Sequence, residues 1–269
     1  MTLWVGLDCG SWATKAVVMA DDATVLGTAV ARSGADLVGA ADRALTGALR
    51  AAGRGRAEVQ AVWATGFGRH SLTQADGSRT ELDCHGRGAA FFVSGPLVVI
   101  DIGGQDAKVI HLDPEGRRLG HRMNRKCAAG TGSFLEEIAL RLGIESADLD
   151  RLALEATEPL ELSSFCTVFA GTELLALIRA GKRPADLALA AYRSLVKRVA
   201  AMDVFPGKVV ATGGVVAYHP TLVDLLGKEL RAEVIVPPLP QMIGAFGAAL
   251  AARDGAVAVG PSIGGSDVD

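Results

Sequence analysis

Two cysteines stand where their thiols could bind a metal. Cys127 lies just ahead of a Gly-Thr-Gly sequence and of an amphipathic run that begins at Phe134. The pattern predicts a loop that turns into a helix, with the cysteine at or near the helix N-terminus. Cys166 repeats the design, because neighbouring serines and a threonine can cap a helix that includes residues 174–178. A helix N-terminus offers unpaired N–H groups and a positive dipole end, which stabilise a thiolate or an anionic metal–sulfur centre.

A second chemical pattern is an apolar strand that ends in aspartate, followed by a glycine turn and a returning strand with lysine. It occurs at Asp8 and Lys15, and again 93 residues later at Asp101 and Lys108. Glycine turns let backbone N–H groups approach phosphate oxygens without a Cβ in the way. With a third glycine turn at residues 213–214, the repeat predicts a divided nucleotide site in which both aspartates hold hydrated Mg²⁺.

Side chains beside these turns add further candidate groups. Either lysine could neutralise phosphate charge, and either Gln105 or Asp106 could position an attacking water. A single hairpin of this kind is more typical of an ordinary turn, but the repeat favours nucleotide binding. Cys9, inside the first turn, is predicted to fill space. Cys84 beside His85 is predicted to be a buried thiol rather than half of a metal pair.

The elements that must position these residues alternate between strands and helices. Hydrophobic periodicity predicts helices and strands throughout the chain, and this indicates an α/β protein. The predicted helices span residues 36–52, 184–201 and 241–252, and later strands are predicted at residues 59–65 and 234–236. Residues 98–110 are predicted to form a strand, a glycine turn and a returning strand, and residues 208–216 a strand that enters a glycine turn. Residues 113–116 are predicted to form a hairpin turn, and the tail from residue 255 is predicted to be disordered.

Length and charge narrow the classes of function. A chain of 269 residues can form one or two domains, and its formal net charge of −3 disfavours nucleic acid as a partner. No apolar run reaches the roughly 18–20 residues of a membrane-spanning helix. The N-terminus lacks the order of a signal peptide, so we expect a cytoplasmic protein with thiols rather than disulfides.

Five segments carry a resemblance to a known family. The order of the two Asp hairpins and the glycine turn resembles the ASKHA superfamily of acetate and sugar kinases and actin. Within it, the chain resembles the BadF/BadG/BcrA/BcrD ATPase family, which comprises activators of 2-hydroxyacyl-CoA dehydratases and ATPase subunits of benzoyl-CoA reductases. The resemblance extends from about Trp4 to Ala252. The segments that carry it are residues 64–69, 81–85, 101–106, 126–132 and 164–170.

The resemblance implies an actin-like fold of two RNase H-like domains with a nucleotide cleft between them. The expected domains are residues 1–95 and 96–254, with the last helix, about 241–253, packing back on the first domain. The phosphates of ATP or ADP are expected to contact Gly10, Ser11, Lys15, Gly103 and Gly104. The adenosine is expected near Gly213, Gly214 and Gln241. The expected catalytic residues are Asp8, Asp101 and Gln105, and the two aspartates would hold Mg²⁺.

The resemblance also implies an ATP-dependent electron donor of low potential. Cys127 and Cys166 would bind one [4Fe-4S] cluster that two subunits share, in a homodimer or a pseudo-symmetric heterodimer. A ferredoxin or flavodoxin would be the reductant, and the acceptor would be a dehydratase or a benzoyl-CoA reductase-type catalytic subunit. Gly171 replaces an acidic residue common in dehydratase activators, and residues 212–220 and 237–241 resemble benzoyl-CoA reductase subunits more. The alternatives are a cluster-free small-molecule kinase and a non-catalytic nucleotide sensor.

Overall fold

The architecture contains ten strands and nine α-helices among the described residues. A computed structural model of the protein describes residues 2–163 and 166–257. The strands are β1 (Leu3–Cys9), β2 (Ala13–Ala20), β3 (Val25–Arg32), β4 (Val59–Thr65), β5 (Gly77–Ser78), β6 (Leu97–Ile102), β7 (Ala107–Leu112), β8 (Arg118–Asn124), β9 (Lys208–Thr212) and β10 (Val234–Ile235). The helices are α1 (Leu37–Ala52), α2 (Glu81–Phe92), α3 (Gly132–Leu142), α4 (Leu149–Ala153), α5 (Thr167–Arg179), α6 (Pro184–Ala200), α7 (Gly214–Tyr218), α8 (Pro220–Leu230) and α9 (Ile243–Val257).

The chain folds as two compact units, which confirms the α/β, two-domain prediction. Among the described residues, the first unit comprises residues 2–10, 14–84 and 244–257, and the second comprises residues 11–13, 85–163 and 166–243. The division falls inside α2, and the predicted boundary between residues 95 and 96 stays a prediction. In the described part of the chain, no helix is long and apolar enough to cross a membrane.

The first unit is built on a five-stranded sheet in the order β3-β2-β1-β4-β5. Every residue of β1 is buried, as expected for a central strand covered on both faces. On one side the strand packs against α9, whose small residues allow close approach. A Cβ at Gly6 would collide with the Ala245 carbonyl oxygen, so this crossing requires glycine. The predicted helix at residues 36–52 is confirmed, and the Asp36 carboxylate caps it by accepting from the Gly39 N–H.

The second unit repeats the same sheet. Its order is β10-β9-β6-β7-β8, so β6 takes the place of β1, β7 that of β2 and β9 that of β4. β1 and β6 are each antiparallel to the strand that follows and parallel to their other neighbour. Helices α3, α4, α6 and α8 contribute most of the helical side of the core of this unit. The repeat inferred from two Asp hairpins therefore extends to the order of all five strands.

Most predicted element boundaries agree with the structure within a few residues. The hairpin turn at residues 113–116 joins β7 to β8, and the helix predicted at residues 184–201 is α6. The strand predicted to enter a glycine turn at residues 213–214 ends at Thr212, and residues 214–218 form the short helix α7. The final helix runs to Val257, and the remainder of the predicted disordered tail lies outside the described residues.

Candidate functional site

The first Asp hairpin places a buried carboxylate opposite a lysine. Asp8 and Lys15 face each other across β1 and β2, and Lys15 Nζ lies 3.1 Å from Asp8 Oδ2. The lysine predicted to meet phosphate is thus paired with the aspartate. The turn itself is held from outside the hairpin, because the Ser33 hydroxyl donates to the Gly10 carbonyl at 2.6 Å. Cys9 is buried beside this turn, and burial raises the pKa of its thiol.

Gly66, which follows the end of the neighbouring strand β4, packs closely against Asp8. Thr65 ends β4 directly opposite Asp8, and Gly66 follows with φ +89°. A Cβ at Gly66 would lie 2.7 Å from Asp8 Oδ1 and 2.7 Å from the Cys9 carbonyl oxygen. The Thr65 hydroxyl is buried, and no hydrogen-bond partner for it occurs among the described residues. Residues 64–69, which the sequence marks only as a family segment, therefore belong to this site.

The second Asp hairpin uses the same cross-strand pair in a more enclosed setting. Asp101 faces Lys108, and Lys108 Nζ lies 3.1 Å from Asp101 Oδ2 and 2.8 Å from Asp106 Oδ1. Asp106 is therefore engaged with the lysine, whereas Gln105 is exposed at the turn. Of the two residues considered for positioning water, this arrangement favours Gln105.

Three additional residues surround the Asp101 carboxylate. The Thr212 hydroxyl donates to Asp101 Oδ1 at 3.0 Å, and His85 Nδ1 lies 3.4 Å from the same oxygen. Gly213 has φ +103°, and a Cβ there would lie 2.9 Å from Asp101 Oδ1. Neither His85 nor Thr212 was among the site residues predicted from the sequence. A signal was available, because Ala-Thr-Gly occurs at residues 64–66 and again at residues 211–213.

The late glycine turn lies beside the predicted glutamine. The Gly213 N–H donates to the Pro240 carbonyl at 3.0 Å, and a Cβ at Gly214 would lie 3.4 Å from Gln241 Nε2. The Tyr218 hydroxyl donates to Gln241 Oε1 at 3.1 Å and orients the amide. The structure thus brings together Gly213, Gly214 and Gln241, the three residues predicted near the adenosine.

Cys127 is not at a helix N-terminus, contrary to one reading of the sequence. It lies five residues before Gly132, the first residue of α3, and is half-buried in a loop. The Asn124 side-chain amide donates to the Cys127 carbonyl at 3.0 Å and to the Ala129 carbonyl at 2.8 Å, which fixes the path of the loop. The sequence could not show this distance, because glycines at residues 130 and 132 suit either a cap or a loop.

The free N–H groups of α3 bind the second Asp hairpin. The Gly132 N–H donates to the Gly103 carbonyl at 2.9 Å, and the Ser133 N–H donates to the Gly104 carbonyl at 2.7 Å. The Ser133 hydroxyl also donates to the Gly104 carbonyl, at 2.6 Å. These bonds join the turn predicted to contact phosphate to the helix that follows the Cys127 loop.

Cys166 does occupy a helix start. It is exposed and is the N-cap residue of α5. The predicted side-chain caps are not seen in the described residues: Thr167 is already helical, and Ser163 donates to Glu173. Ser164, and Phe165 beside it, lie outside the described residues.

Arg141 of α3 fills the space next to Gly171 of α5. A Cβ at Gly171 in α5 would lie 2.7 Å from Arg141 Nε, and Arg141 is paired with Glu137 on α3 at 2.6 Å. The absence of a side chain at residue 171 therefore allows α3 and α5 to pack through the guanidinium group. This is a physical reason for the glycine noted in the sequence.

The side chains described above can be compared with the ligands that a metal–sulfur cluster and Mg²⁺ require. A cubane cluster needs four thiolates, and the chain has two exposed or half-exposed cysteines, Cys127 and Cys166, with Cys9 and Cys84 buried. The donor set fits half of a cluster. Mg²⁺ is usually bound through one or two carboxylates together with water and phosphate oxygens, and the carboxylates of Asp8 and of Asp101 are each ligands of the right type. The described residues contain no cluster of three His, Cys, Asp or Glu side chains that could hold a metal alone.

Comparison with known proteins assigns the family. The model of the BadF/BadG/BcrA/BcrD ATPase family matches residues 5–252. The chain belongs to this family. It is 37% identical to the 2-hydroxyisocaproyl-CoA dehydratase activator of Clostridioides difficile, over 93% of this chain and 94% of that protein. It is 29% identical to a benzoyl-CoA reductase subunit of Thauera aromatica, over 93% of each.

A solved structure agrees with the fold of this ATPase family member. The activator of the 2-hydroxyisocaproyl-CoA dehydratase from Clostridium difficile, with bound ADPNP, matches with a TM-score of 0.89. It is 36% identical and covers 95% of this chain and 96% of that chain. The family assignment makes the chain an ATP-binding ATPase, and the predicted actin-like fold is confirmed.

Proposed function

We propose that this ATPase is a low-potential electron donor that activates a 2-hydroxyacyl-CoA dehydratase. The observation that carries the proposal is the set of hydrogen bonds from Gly132 and Ser133 to the turn at Gly103 and Gly104. Through them, the turn predicted to bind phosphate supports the start of α3, five residues after Cys127. The higher identity to a dehydratase activator than to a benzoyl-CoA reductase subunit favours the dehydratase as the acceptor.

The nucleotide would contact both Asp hairpins. Backbone N–H groups at Gly10, Ser11, Gly103 and Gly104 would meet the phosphates, and the group formed by Gly213, Gly214 and Gln241 would meet the adenosine. Asp8 and Asp101 would hold Mg²⁺, while Lys15 would share its charge between Asp8 and a phosphate. Gln105 would orient the attacking water, since its exposed amide lies in the second turn.

Cys127 and Cys166 would hold half of a [4Fe-4S] cluster, and a second subunit would supply the other half. Two subunits related by symmetry would together supply the four thiolates, so no further cysteine is needed. The bound cluster would accept one electron from a ferredoxin or flavodoxin and pass one electron to the dehydratase. The exposed apolar face of α5, with Val168, Phe169 and Leu175, lies beside Cys166 and supports a subunit contact there. This chain or a paralogue could be the second subunit.

Coupling between nucleotide and cysteine loop would follow from the same hydrogen bonds. A change in phosphate contacts at Gly103 and Gly104 alters the position of carbonyls that hold the start of α3. Because Arg141 packs α3 against α5 at Gly171, movement of α3 would be transmitted to the helix that begins after Cys166. Nucleotide state would thereby change the exposure of both cysteines.

Anaerobic purification followed by iron and sulfide analysis tests the proposal. We expect about four irons per dimer and, after reduction with dithionite, an EPR signal that ATP alters. Cys127→Ala should lose the iron, whereas Cys84→Ala, a matched change at a buried cysteine, should keep it. Full iron and sulfide in Cys127→Ala would disprove the cluster assignment. An iron-free protein that phosphorylates a small molecule would instead be a kinase.

A further inference from the structure

A strongly basic segment leads directly into the Cys127 loop. Residues 117–126 contain no acidic residue, although the whole chain has a net charge of −3. We call this segment the basic edge, because β8 is the outer strand of the sheet of the second unit. Its cations are Arg117, Arg118, Arg122, Arg125 and Lys126. The net negative charge of the chain therefore does not describe this part of the surface, which is basic.

The charge of the basic edge is only partly compensated within the protein. Arg122 Nε lies 3.6 Å from Asp203 Oδ2, and that carboxylate is shared with His111. Among the described residues, no carboxylate forms an ion pair with Arg118 or Arg125, and both side chains are exposed. Their positive charge affects a neighbouring side chain, since burial and these arginines lower the pKa of His121.

Charged residues on an outer strand have a simpler explanation than recognition of a partner, and an experiment must distinguish the two explanations. Edge strands often carry charges that prevent pairing with another sheet. That role requires charge of either sign, whereas recognition of an acidic partner requires positive charge. The position also argues for recognition, because the basic edge ends at Lys126, next to Cys127.

The basic edge differs in character from the exposed face of α5. The latter presents large apolar side chains, including Val168 and Phe169, which suit a lasting subunit contact. The basic edge presents separate cations with one exposed apolar residue, Leu119. Electrostatic steering mainly raises the rate of association, and this suits a partner that binds and leaves in each reaction cycle.

We propose that the basic edge docks the acidic redox protein that reduces the cluster. The inference rests on the proposed function and adds the surface and the charge of the partner. In the reaction, one electron leaves the reduced centre of the docked protein, which is oxidised by one electron. The cluster that Cys127 and Cys166 would hold would take up that one electron, and no atom is transferred.

The test compares charge reversal at this edge with the same reversal elsewhere. The edge variant is Arg118→Glu/Arg125→Glu, and the control is Arg56→Glu/Lys228→Glu, which makes the same change of net charge at exposed positions. Arg118→Lys/Arg125→Lys keeps the positive charge. The probe is a reduced ferredoxin of strongly negative net charge. Stopped-flow absorbance gives the rate of cluster reduction, and fluorescence anisotropy gives the ferredoxin Kd for protein with and without iron.

We expect the edge variant to react with ferredoxin about 10-fold more slowly at low salt, and the difference to vanish near about 0.5 M salt. Its Kd should rise several-fold even without iron, while the Lys variant and the control stay near wild type. Basal ATPase activity and reduction by dithionite should be unchanged. Equal rates and Kd values in the edge variant and the control would overturn the inference.

Two other results separate this inference from the proposed function. If wild-type protein shows no cluster that dithionite reduces, the proposed function fails, while the Kd values for ferredoxin still test the surface. If the edge variant takes electrons from ferredoxin normally but loses transfer to the dehydratase, the assignment to the reductant is wrong. Tight binding of duplex DNA that only the edge variant loses, with normal ferredoxin kinetics, would also contradict it.

Discussion

The two Asp hairpins share a design down to single hydrogen bonds. Each has an aspartate and a lysine seven residues apart, facing across the hairpin at 3.1 Å. Each has an Ala-Thr-Gly at the end of the parallel neighbour strand. In each, a serine hydroxyl donates to a turn carbonyl at 2.6 Å, from Ser33 to Gly10 and from Ser133 to Gly104. The repeat therefore includes the supports of the hairpins as well as the hairpins themselves.

The difference lies in what surrounds them. The Lys15 side chain is 17% exposed and that of Lys108 is 3% exposed, and only Asp101 accepts a hydrogen bond from its neighbouring threonine. Ser33 follows a surface strand, whereas Ser133 belongs to the helix behind the Cys127 loop. We infer that the first hairpin mainly binds nucleotide. The second hairpin would also transmit changes in nucleotide contact to α3.

Alanine at either glycine beside an aspartate should destabilise the protein strongly. Gly66→Ala and Gly213→Ala each combine positive φ with contacts of 2.7 Å or less to a backbone carbonyl oxygen. We expect each to lose about 3 kcal/mol or more in urea unfolding followed by circular dichroism. Gly181→Ala is the control, since Gly181 has φ +78° and nothing within 4 Å of an added Cβ. It should lose about 1 kcal/mol. Equal losses in all three would contradict the close fit.

Removing the charge of the two aspartates should distinguish the hairpins by stability. Asp101→Asn removes the charge of the more buried of the two carboxylates that pair with the buried Lys108, which should cost about 3 kcal/mol. Asp8→Asn should cost about 1 kcal/mol, because Lys15 can extend its ammonium group into water. Chemical denaturation measures both. ATPase activity should be lost in both variants if both carboxylates hold Mg²⁺. A larger loss of stability in Asp8→Asn would reverse our ranking of the sites.

The two threonines should respond in opposite ways to valine. Thr212→Val removes a buried hydrogen bond to the Asp101 carboxylate and should cost about 2 kcal/mol. Thr65→Val removes a buried hydroxyl that has no partner in the described residues, so it should be neutral or slightly stabilising. Thermal unfolding of the two variants gives the comparison. Destabilisation by Thr65→Val as large as that by Thr212→Val would show that the first hairpin uses its threonine too.

The two serines should affect stability alike and coupling differently. Ser33→Ala and Ser133→Ala each remove one hydrogen bond, worth about 1 kcal/mol. The proposed coupling requires that only Ser133→Ala weakens the effect of ADPNP on the exposure of the Cys127 thiol. The measurement is the rate of maleimide labelling at Cys127 in iron-free protein with Cys166→Ser. A nucleotide effect that is equal in both serine variants would exclude transmission through Ser133.

Local features of the fold followed from the sequence. The hairpins at Asp8 and Asp101 were predictable because an apolar strand, a glycine turn and a returning strand lie within about 15 residues and require no distant partner. The N-cap at Asp36 and the helix start after Cys166 are equally local. The family segments also identified the ATPase family, since their residue types and order are specific.

Tertiary structure decided which distant residues meet at these local features. His85 and Thr212 reach Asp101 from a helix and from a parallel strand, and pairing of parallel strands depends on long crossover connections that a local pattern does not encode. The start of α3 was ambiguous for the same reason, because carbonyls of the second hairpin fix it at Gly132 rather than at Cys127. The sequence determined the chemical groups and their local turns, and long-range packing determined which of them act together.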